Sequence, residues 1–140
     1  MHDSRDPPRA WLAGVLLVAL AARLAAGVWW QSRLADDFYF GDSQSYWVLA
    51  RAIARGDSYQ FGSPAAKVFR TPGYPLALAP LFVIFGDEPP ILAARAWGAV
   101  LGTLAVGAVY WLGRQVWDAR VVFAAAFVAA IYPGAIAMSI

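Results

Sequence analysis

The chain has 140 residues, of which 61% are hydrophobic and 14% charged, with a net charge of +2. A soluble domain carries about 45–50% apolar and 25% charged residues, so this composition points to a membrane protein. Eleven basic residues against nine acidic ones, with Lys67 the only lysine, form no patch for nucleic acid. Cysteine is absent, which excludes disulfides and thiolate metal sites, and the single histidine, His2, lies in a polar tail.

After a short tail (1–9), the first apolar run is Ala10 to Trp30, "AWLAGVLLVALAARLAAGVWW". About 20 residues suffice to cross a bilayer core. The run is too long for the apolar part of a signal peptide, and no small-residue cleavage pattern follows Trp29 and Trp30. It reads as a retained signal-anchor helix with aromatic residues at both ends. Arg23 lies seven residues inside Trp30, roughly 10 Å deep at 1.5 Å per residue. An arginine there either snorkels outward or marks function.

Residues 31–90 form the next region. "GDSQSYWVLARAIARG" predicts a helix over 43–55, with Tyr46, Leu49, Ala50 and Ile53 as its apolar stripe and Gly56 as its stop. Arg51, Arg55 and Trp47 suit a membrane interface, although packing on the rest of the fold explains the same pattern. Asp42 stands just before that helix. Its ordinary reading is an N-cap; its functional reading is an ionised carboxylate able to take a proton from a hydroxyl nucleophile. Asp36 and Asp37 read as solvated loop residues, with carboxylate ligation of a hard divalent cation as the other option. Lys67 and Arg70 precede "TPGYPLALAPLFVIFG" and suit either phosphate binding or ordinary head-group anchoring. The apolar segment 72–85 is short for a span and is interrupted by Pro72, Pro75 and Pro80, so it reads as an interfacial or re-entrant helix.

Ile91 to Leu112 is a second span, with Arg95 near its outer end, 113–118 is a loop, and 119–140 reads as a third span. Arg5 and Arg9 in the tail, and Arg114 and Arg120 near the loop, favour the cytoplasmic side for both. The expected fold is therefore all-α and integral to the membrane. It has three transmembrane helices, with interfacial helices in the first outer loop.

The ordered set "GDSQSYWVLARAIARGDSYQF", "FRTPGYPLALAPLFVIFG", "ILAARAWGAVLGTLAVGAVYWLGRQVW" and "VVFAAAFVAAIYPGAIAMSI" resembles the N-terminal part of GT-C type integral-membrane glycosyltransferases. Within that type it resembles the dolichyl-phosphate-mannose-protein mannosyltransferase-like and aminoarabinose transferase-like family. The resemblance covers nearly all 140 residues. It implies transfer of a sugar from a polyprenyl-phosphate donor to a hydroxyl of a lipid, glycan or protein acceptor, at the outer face of the plasma (inner) membrane. It places Asp42 and Tyr46 in the family's D-x-x-x-Y position, with Asp42 as the catalytic carboxylate that serves as base, and Arg70, Tyr46 and Lys67 on the lipid phosphate. No cofactor is required by this reading, while a divalent metal is compatible with it. Several members have a second acid where this chain has Ser43, and a lipid-A-modifying member has lysine where this chain has Thr71. The family is much longer, so the resemblance also implies a truncated chain, inactive alone. The alternatives are a non-catalytic small membrane protein or lipid-binding subunit and, less well matched, a transporter fragment, since most polar groups lie outside the spans.

Overall fold

The computed structural model describes residues 9–34, 41–63 and 70–140. These residues form six helices: α1 Arg9–Leu34, α2 Gly41–Arg55, α3 Gly73–Phe85, α4 Ile91–Gly113, α5 Ala119–Ile131 and α6 Pro133–Ala137. No strand occurs among the described residues. Two helices are long and apolar enough to cross a membrane, Ala10–Leu34 and Ile91–Gly113. At 13 residues each, α3 and α5 reach only about 20 Å, against a hydrocarbon core of about 30 Å.

The chain divides into two compact units. The first comprises the chain up to Trp29 together with Arg95–Ile140. Its core is built on steps of four residues. Val15, Ala19, Arg23 and Gly27 are buried along α1, and Val122, Ala126 and Ala130 along α5. On α4 the buried residues include Arg95, Gly98, Ala99 and Val106. Rows of every fourth residue form the ridges by which helices interlock, and small residues let the backbones come close. Val15, Ala19, Val106, Ala126 and Ala130 form one cluster, with Leu16, Tyr110 and Phe123 against it. The approach is tight at α4: a Cβ on Gly98 would collide with the backbone carbonyl of Ser139, and one on Gly102 would lie 2.6 Å from Nε of Arg23.

The expected single helix over 119–140 is corrected. Pro133 drives the preceding residue out of the helical region, and Tyr132 adopts φ −64, ψ 117, so α5 stops at Ile131. Proline then suits the first position of a new helix, and α6 begins there.

Arg23 is tied to that break. The missing N–H of Pro133 leaves the carbonyl of Ala129 without its helical donor, and the turn at Tyr132 carries the next donor away from Ala130. The Arg23 guanidinium supplies both. Nη1 donates to Ala130 O (3.0 Å) and to Ala19 O (3.1 Å), and Nη2 donates to Ala129 O (3.3 Å). A cation at a helix C-terminus also meets the negative end of the dipole. Arg23 is 2% exposed, so the snorkelling expectation is corrected too. The side chain turns inward because the broken helix offers it acceptors.

The second unit is Trp30–Ala94. Here α2 packs on α3. Leu49 and Ala50 are wholly buried, and Trp47 meets Phe82 edge-on at 4.7 Å between ring centroids. Gly56, at φ 73, ends α2 as expected: its N–H donates to Ile53 O and the N–H of Asp57 to Ala52 O, the paired bonds of a Schellman stop. The helix α3 runs unbroken past Pro75 and Pro80. Pro75 lies in the first turn, where no donor is needed, and Pro80 is tolerated at the cost of one hydrogen bond.

Candidate functional site

The second unit gathers most of the residues singled out in the sequence. Asp42 lies inside the first turn of α2 rather than ahead of it, so the N-cap reading is corrected. Its carboxylate instead accepts from Nη2 of Arg70, 28 positions later. The backbone carbonyl of Asp42 accepts from Ser45 Oγ at 2.7 Å, so Ser45 bonds the main chain of the first turn and not the carboxylate.

Arg70 is held by more than Asp42. Its guanidinium carbon lies 5.6 Å from the ring centroid of Tyr46, within cation–π range. Tyr46 in turn meets Tyr74 edge-on at 5.3 Å. The Tyr59 hydroxyl donates to the backbone carbonyl of Arg70 at 2.9 Å, fixing the residue from its other side. Burial first, and the neighbouring Tyr46 second, push the phenols of Tyr59 and Tyr74 above the ordinary tyrosine value. Both therefore remain neutral O–H groups at neutral pH. Of the Asp42–Arg70 pair, the arginine side chain is 27% exposed and the aspartate 62%, so a ligand can reach both.

Asp42, Arg70 and Tyr46 are thus brought together. Lys67, Asp36 and Asp37 lie outside the described residues. Tyr59 and Tyr74 are additions that the sequence reading did not select. Their only signal is a tyrosine on either side of Arg70, in "GDSYQF" and "TPGYP". Among the described residues no group of three or more His, Cys, Asp or Glu stands close enough to hold a metal ion.

A second ion pair joins the end of α2 to the turn after α3. Arg55 grips Asp87 with two parallel contacts, Nε to Oδ1 at 2.7 Å and Nη2 to Oδ2 at 2.5 Å. The hydrogen bond from Arg55 holds the Asp87 carboxyl below its ordinary value, aided by the charges of Arg55 and Arg51, and the bond to Asp87 raises Arg55 in turn. A carboxyl with a depressed folded pKa adds stability above its unfolded value, and that stability is lost as pH falls through the folded one. Asp87→Asn is therefore expected to remove part of the acid-side loss of stability and to leave the rest of the pH profile in place. Thermal unfolding in detergent between pH 2 and 7 measures this. The effect shrinks with added salt because the pair is solvent-exposed.

Comparison with known proteins returned no match to a family model, to a curated protein or to a solved structure.

Proposed function

We propose that the chain is part of a membrane glycosyltransferase that moves a sugar from a polyprenyl-phosphate donor to a hydroxyl acceptor at the outer face of the membrane. The observation that carries the proposal is the pairing of Asp42 with Arg70 in an accessible, tyrosine-lined setting. Such a transfer needs two things in one place: a carboxylate to receive the acceptor's proton, and a cation to stabilise the leaving phosphate. Asp42 takes the first role and Arg70 the second, with Tyr46 beneath the guanidinium. Exposed Leu76, Val83 and Ile84 give α3 an apolar surface suited to the outer leaflet, where it lies beside a lipid-borne substrate. In the proposed topology α1 runs outward, α4 returns, and α5 with α6 runs outward again. The turn after α4, with Arg114, is then cytoplasmic.

The activity is tested by supplying a radiolabelled polyprenyl-phosphate sugar to membranes that carry the full-length protein. Label is expected in an acceptor, together with release of polyprenyl phosphate. Transfer no faster than in membranes lacking the protein sinks the reading. The topology has its own test. The chain contains no cysteine, so Gln115→Cys gives one thiol in the turn after α4. An impermeant reagent is expected to label it only after the membrane is opened, and labelling of intact cells overturns the three-span arrangement. A non-catalytic lipid-binding role uses the same arginine but has no need of the Asp42 carboxylate, so the Asp42→Asn variant separates the two.

A further inference from the structure

We infer that Asp42 and Arg70 form an exchange pair: the phosphate of the lipid-linked donor takes the Arg70 guanidinium from Asp42, and this releases the carboxylate to act on the acceptor. The inference rests on the donor reading given above and adds to it how the site is switched on. Three observations support it. The first is the geometry of the pair. Arg55 holds Asp87 through two parallel contacts, whereas Arg70 meets Asp42 through a single Nη2–Oδ1 contact. The second is exposure. A pair as open as this one has little net worth, so another anion displaces the carboxylate at small cost. Phosphate offers the guanidinium two parallel, charge-assisted bonds, the stronger arrangement. The third is what stays in place. Tyr46 lies against the guanidinium, Tyr74 braces Tyr46, and Tyr59 bonds the backbone of Arg70. These contacts do not involve Asp42, so the cation remains positioned when the carboxylate leaves.

The acceptor oxygen forms a bond to the anomeric carbon. The bond from that carbon to the phosphate oxygen breaks, and its electron pair leaves with the phosphate. The acceptor's proton passes to the Asp42 carboxylate, and the added negative charge on the phosphate rests on Arg70. Before exchange, the carboxylate faces a cation. After exchange that cation is engaged by the phosphate, and the carboxylate oxygen it occupied is open to the acceptor hydroxyl. Donor binding thereby prepares the base, and an empty site keeps it engaged.

The test is equilibrium binding of polyprenyl phosphate, the leaving group, to the full-length protein in detergent. Parallel titrations use inorganic phosphate and phosphatidylglycerol vesicles. Asp42→Asn removes the competing charge and is expected to bind polyprenyl phosphate up to about five-fold more tightly, the most an exposed pair is worth. Asp42→Ala is expected to change affinity in the same direction. Arg70→Gln is expected to weaken binding about 10- to 100-fold, the value of a hydrogen bond to a charged group. Tightening for polyprenyl phosphate, with phosphatidylglycerol binding unchanged, supports the exchange. Unchanged or weaker binding in both Asp42 variants overturns it, and loss of sugar transfer in those variants then leaves the catalytic reading standing. Equal tightening toward phosphatidylglycerol or inorganic phosphate shows a general phosphate anchor and overturns the donor-specific exchange. Failure of the wild-type protein to bind polyprenyl phosphate overturns the exchange and the donor reading together.

Discussion

Replacing Arg23 by leucine is expected to lower the stability of the α1–α5 packing by about 2–4 kcal/mol. The change leaves the carbonyls of Ala129 and Ala130 without the donors that Nη1 and Nη2 provide. Each orphaned buried acceptor costs about 1–3 kcal/mol. Relief from burying the charge offsets little of this. A helix that already resides in lipid carries its arginine there whether or not it is packed, so the comparison is between packed and separated helices. The cost is measured by titrating the protein from mild detergent into a denaturing one. Arg23→Lys is expected to fall between, because one ammonium cannot serve both carbonyls with the fixed fork of a guanidinium. Pro133→Ala restores an N–H that can reach Ala129 O. The double variant Arg23→Leu/Pro133→Ala is therefore expected to lose about 1 kcal/mol less than the sum of the single changes. Wild-type stability in Arg23→Leu overturns the account of the broken helix.

Asp42→Asn in the full-length protein is expected to lower kcat for sugar transfer by about 10²- to 10⁴-fold, the usual contribution of a positioned base. That range corresponds to about 2.7–5.4 kcal/mol of transition-state stabilisation. KM for the acceptor is expected to move little, since the amide keeps the shape and still accepts a hydrogen bond from Arg70. The distinction matters because Asp42 also holds a partner. If its role were only to position Arg70, asparagine would retain most of the rate, and the loss would appear in donor affinity instead. A drop of only a few-fold in kcat removes Asp42 from the base role.

The two long apolar helices were legible from length and hydropathy, because each run reaches the length of about 20 residues that a bilayer core requires. Gly56 and the stripe of Leu49 and Ala50 fixed α2 equally well, since glycine at positive φ and a 3.6-residue period are local properties. Pro133 was visible, yet the unbroken apolarity from Ala119 to Ile140 concealed its effect, and hydropathy does not register a missing N–H. The partners of Arg23 are 106 and 107 positions away, and no local pattern names them. The same limit applied at the candidate site. Asp42 and Arg70 were each selectable, one for its helix position and one for its phosphate chemistry. Their contact across 28 positions depends on α2 packing against α3. Tyr59 and Tyr74 carry no charge and fit no period, so only the fold brings Tyr59 to Arg70 and Tyr74 to Tyr46.

The long sequence separation between Arg23 and its acceptors has a consequence in time. Chains grow at about 5–20 residues per second, so Ala130 follows Arg23 by about 5–20 seconds. If α1 crosses a membrane as proposed, it carries throughout that interval, near its middle, a charge that costs about 2.5–3.5 kcal/mol to insert. Its later hydrogen-bonding partners have not yet been made. In the proposed membrane arrangement, the arginine of α1 gains its distant acceptors only when α5 arrives, so the packing of α1 is completed late in synthesis.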